Sequence, residues 1–191
     1  MALVHIPSKN EYLHSQEEIN SFLRNYGITY EYWQSKQLDP GASEEDILAA
    51  YENEIEKLKI KGSYHSADVI DLSPTTPGLD EKLARFSREH THSEDEVRYC
   101  ISGRGIFHIN PQDAPVFSIE LEAGDLINVP TGTRHWFNLC QDKTIQVIRL
   151  FQDKTGWTPH YMEDNVDVQY AALCFSEMKQ TTKTQKTVVN S

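Results

Sequence analysis

Two hydrophobic periods divide the chain. In the first third, apolar residues recur at helical spacing. Ile19, Phe22 and Leu23 follow Ser15-Gln16-Glu17-Glu18. In that tetrad the Ser hydroxyl can accept from the third helical amide while the Glu carboxylate reaches back to the Ser amide. Gly27 stands where such a helix ends. A second helix is predicted over residues 43–61. Ile47, Leu48, Tyr51, Ile55 and Leu58 make one apolar stripe between charged residues, and Gly62 follows as its cap. The stripe reads as packing surface against a sheet. Residues 27–38 scatter Ile28, Tyr30 and Trp33 among polar positions and allow either a short strand or an irregular connection. Residues 67–72 read as a strand closed by Ser73-Pro74-Thr75-Thr76-Pro77-Gly78, and residues 79–88 as a short helix.

From residue 90 the period changes to two. Residues 96–102, 105–109, 115–121, 126–129, 135–139 and 144–151 read as short strands, separated in places by Gly103-Arg104-Gly105, Asn110-Pro111-Gln112-Asp113 and Ala123-Gly124-Asp125. Short strands with turns at this frequency predict a β-sandwich or closed barrel, with the N-terminal helices covering one side. The expected organisation is one domain over residues 1–178. Its helical part spans about residues 1–88 and its β core about residues 89–152. Residues 179–191 (KQTTKTQKTVVNS) form a polar tail expected to be mobile, because it offers little apolar area against the entropy of ordering.

Charge narrows the partners. Eighteen Lys and Arg against 29 Asp and Glu give a net charge of −11. That argues against a nucleic-acid or anionic-membrane binder, both of which need a basic face. A small anionic substrate needs only one or two local cations. No run of 18 apolar residues exists, and the N-terminus lacks a basic segment followed by an apolar one. The three cysteines, Cys100, Cys140 and Cys174, are odd in number and widely spaced. They are expected to be reduced thiols in a cytoplasmic protein.

The most informative stretch is His90-Thr91-His92-Ser93-Glu94-Asp95-Glu96. Alternate residues of an extended strand face one way, so His90 and His92 present two imidazoles on one side. Glu96 adds an oxygen donor, a role Glu94 or Asp95 can also fill. His135, after Val129-Pro130-Thr131-Gly132-Thr133-Arg134, is the candidate for a third imidazole. Three imidazoles and one carboxylate suit Fe(II), Ni(II), Mn(II) or Co(II) and leave two octahedral positions open. The competing reading of His-x-His in an acidic segment is a solvated surface strand.

The first element, HTHSEDEVRYCISG, reads H-x-H-x3-E-x6-G. The second, GDLINVPTGTRHWFN, reads G-x5-P-x-G-x2-H-x2-N. These resemble the two cupin motifs. Ala84 stands where the family pattern has a Gly, and Asn138 comes one residue early; neither is a ligand position. Within the cupins, HTHSEDEVRY, GDLINVPTGTRHWF, the IRLF segment at 148–151, Gly156-Trp157, residues 17–33 and residues 79–92 are similar to the acireductone dioxygenase family of methionine salvage. The resemblance covers roughly residues 15–165 and implies a cupin double-stranded β-helix, a jelly-roll barrel that is mainly β with N-terminal helices.

It further implies metal ligands at His90, His92, Glu96 and His135, and a substrate-facing cation at Arg98. Pocket aromatics are implied at Phe86, Phe137 and Trp157. Arg98 follows Glu96 by two residues on the same strand face, which agrees with that role; the competing reading is an exposed residue paired with Glu94 or Asp95. Arg149 is a second candidate cation. The aromatics read equally as barrel core. His108 and His160 read as structural or surface residues, and His5, His14 and His65 lie outside the predicted β region. Cys100 shares the parity of Glu96 and Arg98 and is expected near the cavity.

The implied activity is dioxygenation of acireductone (1,2-dihydroxy-3-keto-5-methylthiopentene) with one Fe(II) or Ni(II) per chain. The iron form gives formate and 2-oxo-4-methylthiobutyrate, the nickel form formate, carbon monoxide and 3-methylthiopropionate. The small-molecule substrate and O2 are the expected partners, and the chain is expected to be a monomer. Competing classes are another metal-dependent cupin enzyme, such as an isomerase or a different dioxygenase, and a non-catalytic small-molecule-binding cupin.

Overall fold

The computed structural model of the chain describes residues 1–153, 158–170 and 174–175. In chain order the elements are β1 (Leu3–Ile6), β2 (Glu11–Leu13), α1 (Gln16–Leu23), β3 (Thr29–Tyr32), α2 (Glu44–Ala50), α3 (Glu52–Gly62), β4 (Ser66–Leu72) and α4 (Leu79–Phe86). There follow β5 (His90–Thr91), β6 (Glu96–Ile109), β7 (Phe117–Glu122), β8 (Asp125–Val129), β9 (His135–Leu139), β10 (Ile145–Phe151) and β11 (His160–Tyr161). The strands pair antiparallel in two curved layers, β4-β10-β6-β8-β3 and β11-β5-β9-β6-β7-β1-β2, with β6 common to both.

That shared strand departs from the expected turn at Gly103-Arg104-Gly105. The chain bends there instead of reversing. Gly103 takes φ +76°, and a β-carbon on it would run into the Thr144 carbonyl. Glycine therefore permits both the bend and the close approach of the neighbouring strand. The first half of β6 pairs with β8 and β10, the second half with β7 and β9.

Both faces of the first half of β6 are covered, so residues 96–101 are buried without a break. Val97, Tyr99 and Ile101 pack against Ile47, Tyr51 and Ile55 of the helical layer. Glu96, Arg98 and Cys100 alternate with them and turn to the barrel interior. On the other layer, Ile19 and Leu23 of α1 join Val4, Phe107, Ile119 and Ile127 in one cluster. The expected capping box opens α1: Ser15 Oγ accepts from the Glu18 amide, and Glu18 Oε2 accepts from the Ser15 amide. The overall balance is mainly β with helices near the N-terminus, as expected.

Four further expectations need correction. The single helix over residues 43–61 is two, α2 and α3, broken at Tyr51. The Tyr51 hydroxyl is drawn inward, accepting from the Lys36 amide and the Tyr99 hydroxyl. Ser63, not Gly62, caps α3 in the left-handed region, at φ 55°. The part over residues 1–88 is not purely helical, because β1, β2, β3 and β4 join the two layers; His5 therefore lies on a strand.

The fourth concerns the cysteines. Cys140 and Cys174 are disulfide-bonded across a sequence separation of 34, with Cα atoms 5.4 Å apart. Linear spacing conceals the pair, because Cys174 returns over the outer face of the layer that carries Cys140. There the two sulfurs cluster with Ile106 and Phe175. Cys100 is a free, buried thiol. The tail over 179–191 and Trp157 lie outside the described residues. No helix among the described residues is long and apolar enough to cross a membrane.

Candidate metal centre

Short-range structure brings the site together. His90 lies on β5, His92 just beyond its end, and Glu96 opens β6. The loop between them is tied down by the Pro-Thr-Gly turn of the second motif. The amide of Gly132 and the hydroxyl of Thr131 both donate to the His92 carbonyl, and the Thr131 amide donates to Asp95. Gly132 adopts φ +73°, which a side chain would strain. His135 opens β9 directly opposite His90 in the β5–β9 pair. Two segments far apart in sequence thus meet at one end of the barrel.

The four groups are buried: His90 is 2% exposed, His92 5%, Glu96 3% and His135 2%. Their donor atoms all lie within 4.8 Å of one another. Oε2 of Glu96 is 2.8 Å from Nε2 of His135 and 3.4 Å from Nε2 of His92. The Nδ1–H of His90 donates to the Arg88 carbonyl at 2.6 Å, and that of His135 to the Thr133 carbonyl at 2.8 Å. Each bond fixes a tautomer and leaves Nε2 as the metal-facing nitrogen.

Electrostatics reinforce the geometry. Burial, together with the neighbouring His135 ring, brings His90 down to about 4, so it is a neutral donor near pH 7. Burial pushes the Glu96 carboxyl up, but Arg98 and His135 outweigh it and hold the group well below the usual carboxylate range. Several imidazole lone pairs converging on one carboxylate repel one another until a cation sits among them. The donor set is nitrogen and oxygen without thiolate, which fits a divalent first-row ion. His90, His92, Glu96 and His135 therefore form a fitting cradle for one metal ion.

Arg98 is 7% exposed, and its Nε donates to Glu96 Oε1 at 2.8 Å. Burial lowers it to about 10, so it keeps its charge at neutral pH. It is neither exposed nor paired with Glu94 or Asp95. Those two acids staple loops instead: Glu94 accepts the amides of Gln152 and Asp153, and Asp95 accepts from Thr131 and Tyr64. Arg149 lies opposite both Arg98 and Asp68 in the strand register. Two facing cations need separate counter-charges. Asp68 supplies one, gripping Arg149 through bonds of 2.7 and 2.6 Å.

Behind Arg98 a cavity of about 30 Å³ is lined by Phe86, Phe137, Cys100, Ile145 and Val147 among others, with almost wholly apolar walls. The structure thus brings Phe86, Phe137 and Arg98 around one space. Burial, with Asp125 and Glu122 nearby, pushes the Cys100 thiol up to about 12, so it is an apolar wall and not a nucleophile. His108 is buried and bonded to Ser118, and His160 is exposed on β11.

Sequence reasoning missed Glu89, Arg134 and Asp68. Each acts across strands, and only the pairing register could have pointed to them.

The sequence model of the ARD/ARD' family matches residues 6–159. The acireductone dioxygenase of Bacillus pumilus is 41% identical over 167 residues, covering 83% of this chain and 95% of its own. That of Bacillus velezensis is 42% identical over 176 residues, covering 87% and 99%. Among solved structures, the acireductone dioxygenase of Bacillus anthracis with a cadmium ion in its active centre aligns with a TM-score of 0.78 at 38% identity, covering 84% of this chain and 98% of that one. The fold is accordingly the cupin barrel that the motifs implied. With a family model spanning most of its length and relatives of about 40% identity matched nearly end to end, this chain belongs to the ARD/ARD' family.

Proposed function

We propose that this chain is a metal-dependent dioxygenase that cleaves acireductone with O2, holding its ion through His90, His92, Glu96 and His135. The observation that carries the reading is the buried quartet of donor atoms, all within 4.8 Å of one another, beside a buried guanidinium and an apolar cavity. A bound divalent ion supplies Lewis acidity and a template for two oxygen donors.

The chain's own residues supply the rest. Arg98 faces the interior as a fixed cation and stabilises the deprotonated enediol. Its bond to Glu96 aims the guanidinium and keeps the carboxylate ionised. Phe86 and Phe137 form the wall that receives the methylthio end of the substrate; for Trp157 the same role rests on the family resemblance alone. The low exposure of the donor groups keeps bulk water from the electron-rich enediolate.

Iron and nickel are the ions we assign to the site. The ligand types accept both, and the Irving–Williams order favours nickel in intrinsic affinity. The iron form yields formate and 2-oxo-4-methylthiobutyrate, serving methionine salvage. The nickel form yields formate, carbon monoxide and 3-methylthiopropionate. The net charge of −11 suits a monomer that repels its own copies. The test is metal analysis of the protein as isolated, then anaerobic addition of acireductone followed by O2, with gas and acid products identified. Stoichiometric metal and either product set support the reading; a metal-loaded protein that leaves acireductone and O2 unconsumed overturns it.

A further inference from the structure

The residue before each of two ligands carries an opposite charge. Glu89 precedes His90 and Arg134 precedes His135. Since His90 and His135 are directly opposite in the β5–β9 pair, Glu89 and Arg134 are diagonal neighbours on the far face of the sheet, within reach of long side chains. They meet there. Arg134 Nε donates to Glu89 Oε1 at 3.0 Å, and Nη2 donates to Oε2 at 2.9 Å. The bridge runs obliquely behind the two imidazoles.

It is also built into its surroundings. Glu89 is 1% exposed. The carboxylate takes a third bond, at Oε1, from Asn110 Nδ2 at 2.6 Å, and the Asn110 amide donates to the Arg134 carbonyl at 2.9 Å. Asn110 directly follows Ile109, the β6 residue that pairs with His135. Three strands are therefore stitched at one level. Beyond residue 159, where the family match ends, the Met162 amide donates to the Glu89 carbonyl and Asp164 pairs with Arg134.

A buried carboxylate is costly unless paired, and apolar residues can often fill such a site at no loss of stability. What a fork-to-fork ion pair adds is direction: two parallel bonds fix the relative orientation of the backbones that carry them. From Glu89 and Arg134, that orientation passes to the Cα–Cβ vectors of the adjacent ligands.

We infer that the Glu89–Arg134 bridge, with its carboxylate buried and its guanidinium half-buried, is a positioning brace for the metal centre, holding His90 and His135 at the separation the ion requires and so slowing its release. The inference rests on the ligand assignment proposed above.

The experiment uses the full chain loaded with Co(II). It reads the rate of metal release into excess chromogenic chelator and the visible absorption of bound Co(II). Glu89→Gln is expected to release Co(II) about 10–100-fold faster than the parent and to alter the absorption envelope, as loss of an outer-shell partner does elsewhere. Arg134→Lys, which keeps the charge but loses the fork, is expected to fall between; it stands as the test if Glu89→Gln does not fold. Glu54→Gln breaks the distant Lys36–Glu54 pair and calibrates general destabilisation, with release expected at the parental rate. Folded Glu89→Gln or Arg134→Lys with release within twofold of the parent and an unchanged spectrum overturns the brace while leaving the ligand assignment intact. A parent chain that takes up no Co(II) overturns the ligand assignment and the brace with it.

Discussion

His90 and His135 face each other across β5 and β9 with ring centroids 4.5 Å apart, and each donates from Nδ1 to the carbonyl two residues before it. The same local geometry is thus used twice, and it aims both Nε2 atoms at one point. The consequences are open to measurement.

His135→Ala removes a nitrogen donor and also the ring bonded to Glu96. Metal affinity is expected to drop by more than about 100-fold, beyond what loss of an outer-shell partner produces. Metal analysis after dialysis checks this, and retention of one equivalent counts against the ligand role.

Arg98→Ala leaves the quartet in place but removes the interior cation. Metal content is expected to stay near one equivalent, while kcat/KM falls by roughly 100- to 1,000-fold, the scale of losing one charge-stabilising donor. Parental kcat/KM would reject the anion-stabilising role.

Gly105→Ala tests the cavity wall from behind. A β-carbon at Gly105 would strike the ring of Phe137, which already packs on Phe107 at a centroid distance of 4.9 Å. The ring must shift into the cavity. We expect a stability loss of about 1–3 kcal/mol from overpacking and a rise in KM larger than the fall in kcat. An unchanged KM would mean that Phe137 does not border the substrate.

His108 gives the fold a pH dependence of its own. It is 2% exposed, and burial lowers it from 6.5 to about 4. The unfolded chain therefore binds the proton more tightly. The contribution is complete above pH 6.5, declines as pH falls through the window to about 4, and amounts to about 3 kcal/mol. His108→Phe retains a ring to stack on Trp136 and abolishes this titration. Denaturant melts of the metal-free proteins at pH 7 and pH 4 should show the difference between parent and variant narrowing by about that amount; a pH-independent difference would rule it out.

The Cys140–Cys174 bond predicts one reactive thiol in the denatured, unreduced protein and three after reduction. Closing a separation of 34 residues, it should add about 2–4 kcal/mol. Three thiols before reduction would show that the pair is reduced in the isolated protein.

The quartet was legible because its information is local. Two-residue alternation places His90 and His92, Pro130-Thr131-Gly132 announces the turn before His135, and the resemblance to the cupin motif singles out Glu96 from its neighbours Glu94 and Asp95. The helical cap at Ser15 was legible for the same reason. What escaped depends on register between distant strands. Glu89 and Arg134 look like unrelated surface charges until β5 meets β9, and Asp68 has no visible partner until β4 meets β10. The β1–β2 hairpin hid because its strands are three and four residues long, too short to show alternation around Pro7-Ser8-Lys9. The Gly103-Arg104-Gly105 bend looked like a turn because glycine serves both uses.

The continuity of β6 sets a rule for how this enzyme can vary. Glu96, Arg98 and Cys100 share one face, Val97, Tyr99 and Ile101 the other, and both faces are spoken for. Deleting or inserting a single residue near its start would exchange the faces, turning a carboxylate and a guanidinium towards the helices and a tyrosine towards the ion. Length changes are therefore tolerable in the surface connections and lethal inside this strand, where the spacing of the reactive groups is also the spacing of the fold.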